Sequence, residues 1–208
     1  MKALVLPCLA FCSLALFGCD CSVNPLYTDK DDVNEPALAG VWNEVNGDGQ
    51  LCVQKRDGKG YDLIVSDRTK KVETYQLTLV RLNEQLFADL MADKQFVGGS
   101  EVDLPVGALQ HHAIVKLDVS KNDVRYASLD PDAVKHYNSE GNAPLAYFTM
   151  MDHDHSMLLT SSTDDLRRIL PLYSGQLFTG NDHYTRQIDN GNDANAGTAC
   201  KIPNNADH

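Results

Sequence analysis

The sequence predicts a mainly β domain whose antiparallel strands follow one another as a meander, closed or nearly closed into a barrel of about nine strands with two short helices. Period-two alternation is the first observation behind this. Tyr61, Leu63 and Val65 point one way, as do Tyr75, Leu77 and Leu79, then Leu86, Ala88 and Leu90. Ala113, Val115, Leu117 and Val119 continue the pattern, with Lys116 and Asp118 opposite. Such alternation marks strands with one buried face. The second observation is the short turns between the runs: Asn46-Gly47-Asp48-Gly49, Asp57-Gly58-Lys59-Gly60, Asp67-Arg68, Asn83-Glu84 and Lys121-Asn122. Connections this short join antiparallel neighbours, because a parallel crossover needs a dozen residues or more. The third is length: 208 residues suffice for one sizeable core.

The first element is residues 1–18. Met1-Lys2 supplies one positive charge, and an apolar run follows from Ala3 to Phe17. The run is shorter than the roughly twenty residues that a bilayer span needs, and a short apolar stretch behind a basic start is the pattern of a secretory signal. Leu16-Phe17-Gly18-Cys19 resembles the lipobox of bacterial lipoproteins: aliphatic, variable, small, then cysteine. That resemblance makes Cys19 the first residue of the mature chain and the site of acylation, where several acyl chains at about 0.8 kcal/mol per buried methylene hold a domain stably on a membrane. An ordinary signal peptide with incidental cysteines is the alternative. Asp20 resembles the inner-membrane retention signal of enterobacterial lipoproteins. "SVNPLY" at Ser22 to Tyr27, "LDPDAVKHY" and "LLTSSTDDL" are similar to segments of a family of bacterial lipoproteins that brings no established activity.

Residues 19–36 hold Asn24-Pro25, Asp29, Asp31, Asp32 and Asn34-Glu35-Pro36 with few apolar side chains, and read as a lipidated tether lifting the domain off the lipid. Residues 37–188 form the barrel. Gly40-Val41-Trp42, with the chain's one tryptophan, resembles the Gly-x-Trp that opens lipocalins and similar small barrels, where the indole plugs the closed end. The resemblance implies a lipocalin-like barrel, and closure also removes the exposed edges of an open meander. Ala92 to Gln110, with Gly98-Gly99 and Pro105, is expected as a loop over one barrel end. One helix starts at "LDPDAVKHY", where Asp130 caps, Pro131 takes the first helical position and Asp132 suits the dipole. The other starts at "SSTDDLRRIL", where Ser162 and Asp165 have capping-box spacing and Leu166, Ile169 and Leu170 make an apolar stripe that Pro171 ends. Residues 189–208, rich in Asn, Gly and Ala, read as a polar tail with little to bury.

Little chemistry stands out. The net charge of −11 disfavours nucleic acid and anionic headgroups as partners. No nucleophile elbow, C-x-x-C, H-E-x-x-H or phosphate-binding loop occurs. In "MMDHDHSM", between two strand-like runs, His153 and His155 share a face of any strand and are the candidate metal pair, flanked by Asp152 and Asp154. An exposed hairpin tip explains the same residues without a ligand. His111-His112 diverge on a strand, and His183, in a polar "GNDHYTR" turn, and His136 read as surface histidines. Once the signal with Cys8 and Cys12 is removed and Cys19 acylated, Cys21, Cys52 and Cys200 remain. Cys52 with Cys200 is the favoured disulfide, because the tail passes near the barrel wall; Cys21 with Cys52, Cys21 with Cys200, or three thiols are the alternatives.

The expectation is a non-enzymatic binding or structural module, lipid-anchored in the bacterial cell envelope and facing the periplasm, with Asp20 favouring the inner membrane. Its partners are the membrane, through the acyl chains, and a small apolar ligand or an envelope protein; no cofactor is expected. A ligand pocket would be lined by Trp42, Leu63, Tyr75, Leu77, Leu117 and Tyr147, and a filled core is the alternative. An envelope-assembly interaction protein and, last, a metal-dependent hydrolase using Asp152 to His155 are the rivals. If the histidine tip is merely exposed, replacing His153 and His155 together by Ala changes stability by less than about 0.5 kcal/mol. Thermal unfolding with and without added zinc checks this: a large loss in the variant, together with a stabilisation of the parent by zinc that the variant lacks, would establish a structural metal site.

Overall fold

The computed structural model describes residues 21–66, 72–97, 100–102, 111–149 and 157–187. Twelve strands lie among them: β1 (Cys21–Ser22), β2 (Gly40–Glu44), β3 (Gln50–Lys55), β4 (Tyr61–Ser66), β5 (Val72–Leu82) and β6 (Gln85–Val97). The rest are β7 (Ser100–Val102), β8 (His112–Val119), β9 (Asp123–Leu129), β10 (Tyr147–Thr149), β11 (Met157–Leu159) and β12 (Phe178–Arg186). Eight of them, β2 to β6 with β8, β9 and β12, pair antiparallel in a ring, which β6 with β8 and β12 with β2 close. The closed antiparallel barrel expected from the alternation, of the lipocalin-like shape implied by the Gly-x-Trp resemblance, is therefore present, with eight strands in its wall rather than about nine and the others added outside it.

The alternating residues fill the interior. Trp42, Leu63, Val65, Tyr75, Leu77, Leu79, Leu86, Ala88, Leu90 and Val115 belong to one buried cluster, with Ala113, Leu117 and Val119 packed against it. At the turn between β5 and β6, Asn83 (φ 47°) and Glu84 (φ 62°) both adopt left-handed backbone, as a two-residue hairpin with matching twist requires. Two sequence expectations need correction. Ala92 to Gln110 is not a loop throughout: β6 runs on to Val97 and pairs antiparallel with β7, Val97 opposite Ser100. Likewise "GNDHYTR" belongs to β12 and is not a turn. Its pairing with β9 shifts register between Thr179 and Asp182, and Gly180 sits there at φ 85°, so a bulge interrupts the alternation and mimics a turn in the sequence.

A second layer packs outside the wall. The outward residues Val80, Phe87, Ile114, Leu129 and Phe178 meet helices α1 (Pro131–Ser139), α2 (Thr163–Ile169) and the one-turn α3 (Ser174–Leu177) in a second buried cluster. Both expected caps form: Asp130 accepts from the N–H groups of Asp132 and Ala133, and Ser162 from that of Asp165. Strands β11 and β10 extend this layer as a flap, joined to the barrel through β1, which pairs antiparallel with β8 and parallel with β11.

The segment expected to be a tether is docked from Cys21 onward. Cys21 and Ser22 are buried in β1, and Leu26 is fully buried in the second cluster. The chain then crosses the outer wall to a 3₁₀ turn at Pro36–Leu38, with Lys59 donating to the Asp29 carbonyl at 2.8 Å on the way. Its low apolar content misleads because polar contacts supply the attachment. Asp31 accepts from Thr28 N–H at 2.6 Å and from Arg167 Nη1 at 2.8 Å. Burial pushes the Asp31 carboxyl up, but the Thr28 N–H, Arg167 and the Thr28 hydroxyl outweigh it and hold it below the ordinary value. A carboxyl depressed by folding stabilises the native state above its unfolded pKa, near 4, and loses that contribution as pH falls through its lower folded pKa. Arg167→Ala is therefore expected to cost about 1.5–3 kcal/mol at neutral pH, and the gap between mutant and parent should shrink below about pH 4. Denaturant unfolding of both proteins across pH 2 to 7 measures this; a gap independent of pH would remove Asp31 from the account.

Candidate functional site

The barrel interior is the site that the sequence points to, and its closed end is built around Trp42. The indole is fully buried and donates from Nε1 to the Leu38 carbonyl at 2.9 Å, so the 3₁₀ turn becomes the floor. Arg186, on β12, lays its guanidinium over the indole at 4.2 Å from the ring centroid. The same group donates to the carbonyls of Ala37, Ala39 and Lys121, which stitches the floor, β2 and the β8–β9 turn together. Burial lowers the Arg186 pKa, although a guanidinium stays charged in proteins. Gly40 is explained by the same group. A Cβ there would lie 2.4 Å from Arg186 Nη1, and its φ of 142° also suits glycine.

Above the floor the barrel leaves a cavity of about 60 Å³, lined by side chains such as Leu51, Leu63, Leu77, Leu90, Leu117 and Val124, with Tyr126 and Tyr184 as its polar members. The two tyrosine rings stack at 6.0 Å, and burial first of all raises both phenols above their ordinary pKa, so they stay neutral. Pockets that enclose small organic ligands measure roughly 300–1,000 Å³. This cavity, lined by described residues, is well below that range. Of the expected lining residues, Leu63, Leu77 and Leu117 border the cavity, while Trp42 and Tyr75 belong to the surrounding core. Tyr75 donates to Glu73 Oε2 at 2.6 Å, and burial raises its pKa strongly. Tyr147 is elsewhere: it packs against the second cluster, outside the barrel.

A polar cluster on the outer wall escaped the sequence reading. Asp89 (β6) and His112 (β8) are buried side by side, with His112 Nδ1 at 2.7 Å from Asp89 Oδ1. His112 is therefore no surface residue. The other carboxylate oxygen accepts from the Leu26 N–H at 2.6 Å, and the Tyr27 ring meets the imidazole edge-on at 6.0 Å. Ser22 stands directly opposite His112 in the register. Serine, imidazole and carboxylate on adjacent strands suggest a hydrolytic set, but the Ser22 hydroxyl donates to the Asn24 carbonyl at 2.7 Å and accepts the Asn24 N–H at 3.2 Å. With all three side chains buried, no substrate reaches them; the cluster clamps the N-terminal segment to the wall. A lone Asp in "FADLM" was the available signal, since it interrupts the outward face of a strand otherwise carrying Phe87. His183, on β12, pairs with Asp123 at 2.7 Å.

Cys52 is disulfide-bonded, whereas Cys21 carries a buried thiol, which removes the Cys21–Cys52 pairing and the reading with three thiols. Cys52 lies on the outer face of β3, between the inward Leu51 and Val53, and is nevertheless only 6% exposed. Cys19, His153, His155 and Cys200 lie outside the described residues. Among the described residues no group of three or more His, Cys, Asp or Glu side chains is arranged to hold a metal ion, and no helix is long and apolar enough to cross a membrane.

Comparison with family models, with curated proteins and with solved structures finds no match to the chain. The geometry therefore carries the reading by itself. Arg186→Met keeps the length and apolar stem of the side chain but removes the ion over Trp42 and its bonds to three carbonyls. Its expected cost is about 2–3 kcal/mol, as for hydrogen bonds made by a charged group, with a red-shifted emission of the single Trp42. Chemical denaturation followed by that emission provides the measurement, and an unchanged midpoint would show that the plug does not need the guanidinium.

Proposed function

We propose that the protein is a lipid-anchored module of the bacterial cell envelope, facing the periplasm, which binds or scaffolds without catalysing a reaction. The observation that carries this is the run from Ala3 to Phe17 ending in Leu16-Phe17-Gly18-Cys19, the arrangement of a cleaved and acylated N-terminus. The disulfide at Cys52 supports the same compartment, because such bonds persist outside the reducing cytosol. Cys200 is its proposed partner, since Cys8 and Cys12 leave with the signal and Cys19 is acylated.

Within that reading, the cavity of about 60 Å³ favours a role exercised through the outer surface over carriage of a large apolar ligand. This supports the interaction-protein alternative: a rigid, filled barrel presenting its added flap and helices to an envelope partner. Asp20 favours the inner membrane as the site of attachment. Cys19→Ala is expected to abolish incorporation of radiolabelled palmitate and to release the protein from the membrane fraction, while circular dichroism and melting temperature stay those of the parent. Continued labelling and partition into detergent would overturn the anchor.

A further inference from the structure

The docked N-terminal segment fixes which side of the molecule meets the lipid, provided that the proposed anchoring at Cys19 holds. Cys21 is buried in β1 and paired with Ala113 of β8 and Leu158 of β11. Two residues extend at most about 7 Å, so the acylated residue stays within that reach of a fixed point on the fold. No slack remains for the barrel to turn freely. Cys21 sits where β8 begins, at the barrel end opposite the Trp42 and Arg186 floor, whose neighbours are the β3–β4, β5–β6 and β8–β9 turns.

The flap beside Cys21 presents an unusual surface. Phe148 pairs with Leu158, and Leu158 with Cys21, so the three side chains form one row on one face of the flap, two strand spacings or about 10 Å from end to end. Along the row exposure rises from the buried Cys21 through the half-buried Leu158 to Phe148, which is 68% exposed. Ala146, Val23 and Thr160 flank the row on the same face, so that these six positions carry no charge in a chain of which 23% of residues are charged. The alternate residues Ser22, Tyr147 and Leu159 face the helices instead. The other exposed large apolar residue among the described ones, Leu172 at 62%, follows Pro171, whose carbonyl takes the Gln85 amide at the far end of β6.

We propose that the Leu158–Phe148 face of the flap lies against the lipid surface into which the Cys19 acyl chains insert, with the Phe148 ring at the headgroup boundary and the Trp42 floor pointing away from the membrane. An exposed aromatic beside an acyl anchor adds apolar burial where the anchor already holds the surfaces together. The contact needs no basic residue, which suits a chain of net charge −11, so it does not depend on anionic lipid or on ionic strength.

The test uses full-length protein purified from its own membranes and reconstituted into phosphatidylcholine vesicles containing acyl-brominated lipid. Trp42, the single tryptophan, gives the baseline emission of the parent. Phe148→Trp should add emission that brominated lipid quenches by about twofold or more, as expected for a ring at the interface, whereas Asp57→Trp, in the exposed turn at the floor end, should add emission that it leaves unchanged. The same quenching in 0.5 M salt, where the Debye length is roughly half its physiological value, supports the apolar contact. If the protein floats with the vesicles but Phe148→Trp is unquenched, or Asp57→Trp is quenched instead, the anchor stands and the orientation falls. If the protein does not float, the anchoring reading fails and takes the orientation with it.

Discussion

The outer architecture depends on how one buried carboxylate is satisfied. Asp89 projects from the barrel wall into the second core, where an unpaired charge would cost several kcal/mol. Both of its oxygens are used: one by His112 on the neighbouring strand, the other by the backbone N–H of Leu26. The first contact links β6 to β8 across the seam that closes the ring; the second holds the N-terminal segment against that seam. Leu26 can bury its side chain among Phe87, Ile114 and Leu166 because its own N–H is satisfied there. From that point outward the order of the molecule follows. Asn24 donates to the Ser161 carbonyl, Thr163 to the Pro25 carbonyl and Arg167 to that of Leu26, so α2 is fastened to the same segment.

Inside the barrel a different constraint operates. A barrel of eight strands is just wide enough for its side chains to fill, and the interior here is closed at one end by Trp42 under Arg186. The guanidinium satisfies the carbonyls of Ala37, Ala39 and Lys121 together, and its flat face covers the indole. Gly40 follows from the same packing, since any side chain there would occupy the guanidinium's place. The Gly-x-Trp pattern is thus half of a unit whose other half, Arg186, is more than a hundred residues away in sequence.

That separation explains what the sequence disclosed and what it concealed. The inward faces of β4, β5, β6 and β8 were legible because burial on one side of a strand writes itself as alternation. Both longer helices were legible because their caps are local: Asp130 and Ser162 bond N–H groups within three residues. The strap from Cys21 to Leu38 was not, because its attachment rests on polar contacts to residues as distant as Asp89 and Arg167, and a segment held that way has the composition of a tether. The bulge at Gly180 hid a wall strand for a related reason, as one inserted residue breaks the period on which strand recognition rests. The candidate lining was legible where it followed alternation, at Leu63, Leu77 and Leu117. It failed at Tyr147, whose strand lies in the flap and shares no register with the ring.

The docked strap changes what an anchor at Cys19 means physically. A flexible tether would average over orientations and leave partners to meet any face of the domain, with an effective concentration set by its length. If Cys19 is the anchor, as proposed, a chain that enters a paired strand two residues later transmits position and angle together. The proposed attachment would then restrict rotation as well as distance, and a partner in the envelope would encounter a defined set of surfaces. The strap's polar clamps, Asp89 at one end and the Asp31–Arg167 pair further along, hold the segment to the wall and would resist a pull from the proposed anchor. On the proposed anchoring, the docked strap would hold the domain rigidly, with its helical layer and floor presented at a constant height above the lipid.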